Sequence, residues 1–531
     1  MPTLLPAKWP GGLDLAAQVK KAVETRFPAT LFFEFAELYG HTFNFRLMGE
    51  NRVFTAEPEY IKTILATDFP GYEKGKRNDD LTFQIPHSIT FRTLLPFSDA
   101  GPFGYRGFQL GRFHRGMTRP FFSRDRISHF DIFDRHAEDA LNQVRLRMKE
   151  GYPIDWQDLV SRFTLDSATE FLFGKDVKSL AAGLPYPPSS DRVRSESDSS
   201  NPANAFAEAF LEAQNLSATR GRYSSAWALL EILGDKVAVQ MKTIDNFIQP
   251  ILQSALEKKA QKKAQGELPT NGKDVADDET LLGHLVNLTD DRQILRDETL
   301  NILLAGRDTT AATLTFAIYK LTQHPDIVRR LREEILMKVG SHRRPTYEDI
   351  REMKYLRAFI NEVLRLYPPV PFNVRFATKD TLWPTKPGEP PYFIPAGTKC
   401  LYSVFVMHRR KDLWGPDAAD FDPDRFIDDR LQKYLTPNPF IFLPFNAGPR
   451  ICLGQQFAYN EASFMLIRLL QQFSSFELVQ DANPECIPPP GWAKSKGSDG
   501  KDKAWIKAHL TIYAKGGLWV KMGDAATTES V

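Results

Sequence analysis

A ten-residue stretch, residues 445–454, restricts the fold of this chain more than any other feature. It combines an aromatic, a glycine, an arginine, a cysteine and a second glycine: Phe445, Gly448, Arg450, Cys452 and Gly454. A thiolate needs backbone N–H groups and a metal ion to neutralise its charge, and glycines permit the close backbone approach that this requires. The stretch therefore predicts the loop of a haem protein whose iron has a cysteine thiolate as its axial ligand.

The alternative is that Cys452 is an inert core cysteine, which is the usual role of a lone cysteine. Five fixed positions rarely coincide by chance in one chain, so the ligand interpretation is favoured. In that interpretation Arg450 is placed to bind a haem propionate, since a guanidinium pairs well with a carboxylate. The ring of Phe445 would shield the sulfur from water.

The pattern F-x-x-G-x-R-x-C-x-G in this stretch resembles the haem-ligand motif of the cytochrome P450 superfamily. The resemblance implies a mainly α fold with a small β region, in which a long central helix lies over the haem. It also implies one haem b, with Cys452 as the metal ligand, and insertion of one oxygen atom from O2 into a small apolar organic substrate. NADPH would supply the electrons. No flavin or nicotinamide fingerprint is evident, so a separate NADPH-cytochrome reductase is the implied partner.

Residues 291–324 carry an uninterrupted helical pattern that Pro325 ends. At its centre the run AGRDTTA resembles the second P450 motif, most closely that of fungal alkane and fatty-acid hydroxylases. By this resemblance Gly306 leaves room beside the haem, and Asp308 and Thr309 deliver protons through water. The alternative makes Thr309 a helix-bending hydroxyl and Asp308 a surface acid. A hydroperoxide-using isomerase of the same fold needs no proton delivery, so this acid–alcohol pair counts against it.

Two charges, Glu362 and Arg365, stand one helical turn apart among apolar neighbours, which predicts that the pair is buried. Buried charges persist only when they are fully partnered. The pair resembles the E-x-x-R motif of the superfamily, whose third member comes from a later loop and matches Arg425 here. We interpret this triad as structural, holding the loop that carries Cys452.

Prolines exclude a helix over residues 367–375, which resemble the extended segment that passes the haem. By this resemblance Arg375 is expected to bind a second propionate. Val370 and Phe372, together with Leu304 on the long helix, are expected to line the substrate pocket.

The sequence before residue 120 resembles a helix that contacts a haem propionate, with Arg115 and its neighbour His114 at the contact; a solvated helix charge is the alternative for Arg115. The family's tryptophan position is Gly111 here. Residues 75–111 show no helical or strand period, and the family pattern resumes on both sides. We interpret this departure as a retained intron or misplaced splice junction, and expect weak haem binding that Gly111→Trp improves. A haem-binding protein with little or no turnover is therefore the alternative function.

Hydrophobic residues at 42% and charged residues at 25% are ordinary for a soluble globular protein. The chain has 68 lysines and arginines and 66 aspartates and glutamates, so its net charge is too small to attract nucleic acid. We expect a Pro-rich N-terminal lead over residues 1–26 and a single catalytic domain over residues 27–531. The lead has no apolar run of about 20 residues, so no spanning helix is expected there. The resemblance implies the cytosolic face of the endoplasmic reticulum membrane, with peripheral membrane contact; a soluble cytoplasmic protein is the alternative.

Overall fold

Helices make up most of the molecule. The computed structural model describes residues 1–47, 49–73, 118–122, 130–191, 202–223, 231–232, 234–265, 279–385, 388–492 and 498–525. Their helices are α1 Leu13–Thr25, α2 Thr30–Tyr39, α3 Pro58–Lys62, α4 Asp131–Lys149, α5 Trp156–Phe173, α6 Pro202–Tyr223, α7 Lys236–Ala264, α8 Leu281–Leu288, α9 Arg292–Leu321, α10 Pro325–Lys338, α11 Tyr347–Glu352, α12 Lys354–Leu366, α13 Val404–Met407, α14 Lys411–Trp414 and α15 Gln455–Gln472. Residues 75–111, with Gly111, and the predicted propionate ligands His114 and Arg115 lie outside the described ranges.

The strands are short and form small sheets. They are β1 Thr42–Leu47, β2 Glu50–Thr55, β3 Tyr72–Glu73, β4 Ile154–Asp155, β5 Asn373–Ala377, β6 Thr381–Trp383, β7 Tyr392–Ile394, β8 Lys399–Tyr402, β9 Phe473–Leu478, β10 Ile506–Ala508, β11 Ile512–Ala514 and β12 Trp519–Asp524. The largest sheet has the order β1-β2-β8-β5-β3, in which β2 and β8 are parallel. A three-stranded sheet has the order β4-β12-β9, and β10 pairs with β11 in an antiparallel hairpin. The predicted mainly α fold with a small β region is confirmed.

Helix α9 is the long helix that the sequence predicts. The carboxylate of Asp291 caps its start, accepting hydrogen bonds from the backbone N–H groups of Gln293 at 2.9 Å and Ile294 at 3.2 Å. Its 30 residues span about 45 Å, enough to cross the whole domain. Most of its side chains are buried, and it packs against α5, α12 and α15. The indole of Trp156 on α5 donates to the Leu314 carbonyl at 3.0 Å, which fixes the two helices together.

The N-terminal residues pack onto the rest of the protein. The backbone of Leu5 donates to the carbonyl of Asn44, and that of Asn44 to Thr3, both at 2.8 Å, along the edge of β1. The end of α1 accepts a hydrogen bond at 3.2 Å from the Trp492 indole to the Thr25 carbonyl. Thus the predicted lead includes a helix and contacts both the small β region and the C-terminal part of the chain. Within the described ranges, no helix combines the length and the apolar character needed to cross a membrane.

Candidate functional site

The cysteine loop takes its shape from two residues in the left-handed backbone region. Gly448 has φ +66°, and a Cβ at this position would lie 2.0 Å from the carbonyl oxygen of Leu65, so only glycine fits. Asn446 has φ 60° and its side-chain oxygen accepts a hydrogen bond of 2.8 Å from the Tyr402 hydroxyl. The backbone N–H of Cys452 donates to the Phe445 carbonyl at 3.0 Å, closing the loop.

The side chain of Cys452 is exposed, whereas Cys400 and Cys486 are buried. Gly454 ends the loop, and α15 begins at the next residue. A helix N-terminus favours negative charge nearby, which suits a thiolate. The ring of Phe445 packs on Tyr459 of α15, with centroids 5.2 Å apart. Of the three cysteines, Cys452 therefore has the environment of a metal ligand.

Two arginines that the sequence assigns to propionates have different surroundings. Arg450 donates from Nη1 to the Tyr72 carbonyl at 2.8 Å, and its guanidinium lies 4.2 Å from the centre of the Phe69 ring. Arg375 is 2% exposed, and its Nη1 donates to the Val374 carbonyl at 2.8 Å. Its Nε has no acceptor, and no carboxylate of the described residues forms an ion pair with it. A buried cation without an anion is costly, so this position calls for an anionic ligand.

These features fit haem b. An exposed thiol at a helix start matches an iron centre, and a buried guanidinium without a carboxylate partner among the described residues matches a propionate. Cys452 would hold the iron, and Arg375 and Arg450 would hold the propionates. Bound there, the haem would supply oxygen activation, which thiolate ligation promotes.

The central turn of α9 is open where the sequence predicts it. Among the described residues, a Cβ on Gly306 would have only the Ala168 methyl within 4 Å, at 3.9 Å. The Thr309 hydroxyl donates back to the Ala305 carbonyl at 2.7 Å, and the Thr313 hydroxyl to the Thr309 carbonyl at 2.9 Å. Such bonds compete with the helix ladder and loosen the turn.

The carboxylate of Asp308 is held inside the molecule. Its Oδ2 accepts a hydrogen bond of 2.6 Å from the Gln214 amide on α6, and its Oδ1 lies 3.4 Å from Nη1 of Arg307. Burial raises the pKa of Asp308 above its usual range, and the opposing effects of Arg307 and Gln214 are smaller. The group therefore holds a proton at higher pH than an exposed aspartate, which suits proton transfer.

The structure brings the predicted triad together. Arg365 donates from Nε and Nη2 to the two oxygens of Glu362, at 2.7 and 2.8 Å. Arg425, in the turn Pro423–Phe426, has its Nε 3.6 Å from Oε1 of Glu362 and donates from Nη2 to Asp417 at 2.9 Å. The first two side chains are 0% exposed and the third 1%. Breaking such a network strands a buried charge, so the segment leading to the cysteine loop is strongly tied to α12.

The three predicted pocket residues are not equivalent. Leu304 is buried in the apolar cluster between α5, α6 and α9. Val370 is half-buried. The ring of Phe372 packs on Phe32 of α2, with centroids 5.2 Å apart, and so contributes to the core of the small β region.

Sequence reasoning missed two polar residues at this site, Gln214 and Glu461. Glu461 on α15 is 1% exposed and lies beside the buried hydroxyl of Thr310 on α9. Neither of its oxygens has a hydrogen-bond partner among the described residues. Burial raises the pKa of Glu461 to about 8. The sequence did contain a signal for Glu461: it lies on the same helix face as the apolar residues Phe457, Phe464 and Met465, which predicts a buried acid. Gln214 had no such signal, because only the tertiary fold brings it to Asp308.

The chain is similar to known proteins over most of its length. The family model described as Cytochrome P450 matches residues 15–496. The chain is 37% identical to cytochrome P450 52E1 of Candida apicola, over 89% of this chain and 82% of the relative. It is 35% identical to cytochrome P450 monooxygenase g430 of a Fusarium species, over 90% and 79% respectively. It is 34% identical to cytochrome P450 monooxygenase pvhE of Talaromyces variabilis, over 95% and 89%.

The family match covers both the cysteine loop and the central turn of α9. A family match of this extent also establishes the cofactor, haem b, and a redox partner that supplies electrons. The chain therefore belongs to the cytochrome P450 family and is a haem-thiolate monooxygenase.

Proposed function

We propose that this protein hydroxylates long-chain apolar substrates, fatty acids or alkanes, with electrons from NADPH-cytochrome reductase. The observation that carries the proposal is the turn at 305–310 of α9, where an open glycine lies beside a buried acid and a hydroxyl. Its sequence AGRDTTA resembles that of fungal alkane and fatty-acid hydroxylases. The apolar cluster around Leu304 suits such a substrate.

In this proposal Cys452 is the axial ligand, and Arg375 and Arg450 bind the propionates. Gly448 keeps the loop close to the backbone at Leu65, and Phe445 limits access of water to the sulfur. Arg375 gains an anion for its buried charge, so haem binding should stabilise the folded chain.

Asp308 and Thr309 manage the protons that the reaction consumes. Asp308 supplies protons to the site, since burial raises its pKa and favours its protonated form. The Thr309 hydroxyl, when it turns away from the Ala305 carbonyl, can hold a water in the groove that the loosened turn provides. Gln214 positions the acid.

Membership of the family supports a proposal for the redox partner and the location. We propose docking of NADPH-cytochrome reductase and residence at the cytosolic face of the endoplasmic reticulum membrane, with peripheral membrane contact. Membrane flotation of the expressed protein, followed by carbonate extraction, tests the location.

The reduced-CO difference spectrum tests the ligand. The wild type and the variants Cys400→Ala and Cys486→Ala should give the thiolate-type band, because those two sulfurs are buried elsewhere. Cys452→Ala should lose it, and retention of the band in Cys452→Ala would falsify the assignment. Purified wild type with reductase should then consume NADPH in proportion to hydroxylated dodecane or dodecanoic acid; haem binding without such turnover would contradict the proposed activity.

A further inference from the structure

A buried acid and a buried hydroxyl adjoin each other in the interface between α9 and α15. Glu461 on α15 is 1% exposed, and Thr310 on α9 is 2% exposed. The hydroxyl lies close enough to the acid to oppose the rise in its pKa that burial causes. Apart from each other, neither the carboxyl oxygens nor the hydroxyl have a hydrogen-bond partner within the described part of the chain. The two groups therefore form an isolated polar contact between the helices.

The hydroxyl of Thr310 is oriented differently from those of its neighbours on α9. The hydroxyls of Thr309, Thr313 and Thr315 each donate to the carbonyl four residues earlier, at 2.7, 2.9 and 2.7 Å. Such a bond satisfies a buried hydroxyl within its own helix. Among the described residues, Thr310 makes no bond of this kind. Its partner must come from outside α9, and Glu461 is the side chain that the fold supplies.

The surroundings of Glu461 are apolar, because Phe457, Phe464 and Met465 on the same helix face belong to the core. No charged group in the described ranges contributes to the pKa of Glu461. An ionised carboxylate here would have no compensating cation, so the neutral form is favoured. The charged side chains on and around α15 have other partners or are exposed, namely Arg307 with Asp308 on α9, Arg332 of α10 with the Leu470 carbonyl, Asp349 of α11 with Arg343, Arg357 of α12 with the Tyr459 ring, Glu362 with Arg365 on α12, Arg468 with Glu138 of α4, and the exposed Glu477 of β9.

This contact connects the two parts of the molecule on which turnover depends. Thr310 directly follows Thr309 in the central turn of α9. Glu461 lies in the second turn of α15, the helix that begins after the cysteine loop, and the two helices pack against each other. A hydrogen bond across the interface therefore fixes the turn that carries Thr309 relative to the helix that follows Cys452.

We propose that Glu461 is a positioning residue for oxygen activation: its neutral carboxyl group donates a hydrogen bond to the Thr310 hydroxyl and holds the central turn of α9 in place. This role rests on the proposed function of Thr309 in proton delivery, because Glu461 acts through the turn that carries it. When Glu461 ionises, the donor is lost and a buried carboxylate must be hydrated, so the turn shifts away from α15. Oxygen is then released as peroxide at the expense of product.

The first test is the pH dependence of coupling, measured as product formed per NADPH consumed by the haem-loaded protein with reductase and dodecanoic acid. Burial raises the pKa of Glu461 to about 8, so its neutral fraction falls from about nine-tenths at pH 7 to about one-tenth at pH 9. In Glu461→Gln the amide donates to Thr310 at every pH. The ratio of coupling in this variant to coupling in the wild type should therefore rise up to about tenfold between pH 7 and pH 9.

The ratio cancels the pH effects of the reductase and of Asp308, which both proteins share. A constant ratio from pH 7 to pH 9 would overturn the positioning role. Thr310→Val keeps the shape of the side chain but removes the hydroxyl, so it should bind haem and show low coupling already at pH 7. Thr315→Val is the matched control, because that hydroxyl bonds the Ala311 carbonyl within its own helix, and its coupling should equal that of the wild type. Wild-type coupling in Thr310→Val would contradict the contact.

Hydrogen–deuterium exchange of the haem-loaded protein tests the positioning without a substrate. At pH 9, peptides from the central turn of α9 should exchange faster in the wild type than in Glu461→Gln, whereas peptides from α7 should not differ; at pH 7 neither region should differ. Equal exchange in the α9 turn at pH 9, or an equal increase in α7, would count against a local effect. Failure of the proposed function has a different result: Thr309→Ala stays coupled, or dodecanoic acid gives no product, while the exchange difference remains.

Discussion

The amide of Gln214 on α6 donates a hydrogen bond of 2.6 Å to Asp308 in the centre of α9. This contact joins the acid for which we propose a role in proton delivery to helix α6. A neutral amide holds the carboxylate in place without adding charge, so burial still raises the pKa of Asp308. Gln214 thus positions the acid, and its smaller effect on the pKa does not cancel that of burial.

Asp308→Asn should lower kcat by about 10- to 100-fold, with most of the NADPH still used for product. Asparagine has the same shape and can still accept from Gln214, but it cannot exchange a proton. The measurement is product formed per NADPH consumed, alongside kcat. Gln214→Leu, which leaves the acid but removes its anchor, should give a smaller loss. An Asp308→Asn variant with wild-type kcat would exclude the acid from proton delivery.

Thr309→Ala should keep haem and reduction by NADPH, but release hydrogen peroxide at the expense of product. The variant lacks the hydroxyl that can hold a water beside the central turn of α9, so proton delivery is no longer directed towards product formation. Peroxide and product are assayed together. Thr313→Ala, one turn away with an analogous bond to the Thr309 carbonyl, is the control and should stay coupled. Unchanged coupling in Thr309→Ala would count against its role.

Gly448→Ala should prevent haem incorporation. Its Cβ would lie 2.0 Å from the Leu65 carbonyl oxygen, so the loop or the turn Thr63–Thr67 must shift. Gly340→Ala separates this clash from simple backbone strain: φ there is +85°, but no atom of the described residues lies within 4 Å of the added Cβ. That control should cost about 1–2 kcal/mol and keep its haem. The ratio of haem absorbance to protein absorbance measures haem incorporation in both variants. Full haem occupancy in Gly448→Ala would show that the loop adapts.

Arg425→Ala should yield protein that does not retain haem. It leaves Glu362 and Asp417 with fewer partners, and breaking a buried pair costs about 3–5 kcal/mol. Arg430→Ala removes an arginine that bonds the same Asp417 but is 23% exposed, so its cost should be below about 1 kcal/mol. Haem content and thermal unfolding report both. Soluble, haem-loaded Arg425→Ala would mean that the triad does not support the cysteine loop.

Glu461→Gln should become more stable relative to wild type as pH rises. Burial raises the pKa of Glu461 from 4.5 to about 8, so between these values the folded state binds the proton more tightly than the unfolded state. The free energy of unfolding of the wild type then falls by up to about 1.4 kcal/mol per pH unit in that window, and the amide removes this dependence. The Tm difference between variant and wild type at pH 5 and pH 8 measures it. Glu477→Gln, on the exposed face of β9, controls for loss of one charge. An equal Tm difference at both pH values would contradict the effect.

The main features of the fold and much of the site were predictable from local sequence. Helix α9 has a capping aspartate before its start, a continuous apolar pattern and a proline after its end. Residues close to the helix in the sequence therefore determine its limits. Glu362 and Arg365 share one helix face, which reveals their pairing, and apolar neighbours reveal their burial. The mainly α class follows from such patterns.

The contacts that the sequence did not predict join residues far apart in the chain. Gln214 reaches Asp308, and Arg222 reaches the hairpin at Ala508, only after α6 has docked. Strands of three residues, such as β10 and β11, are too short to show a period, so the hairpin gave no signal. The roles proposed for Arg450, Arg375 and the pocket residues stay predictions.

The sheet β4-β12-β9 determines when the domain can finish folding during synthesis. Asp155 of β4 pairs with Trp519 of β12, near the end of the chain. At roughly 5–20 residues per second, the ribosome needs on the order of 20 to 70 s to make the intervening chain. During that time β4, which precedes α5, lacks its partner strand β12. Because the two strands are far apart in the sequence, their pairing is expected to be slow. Completion of this sheet therefore waits for the synthesis of β12, and the cysteine loop is made before the strand that closes the sheet.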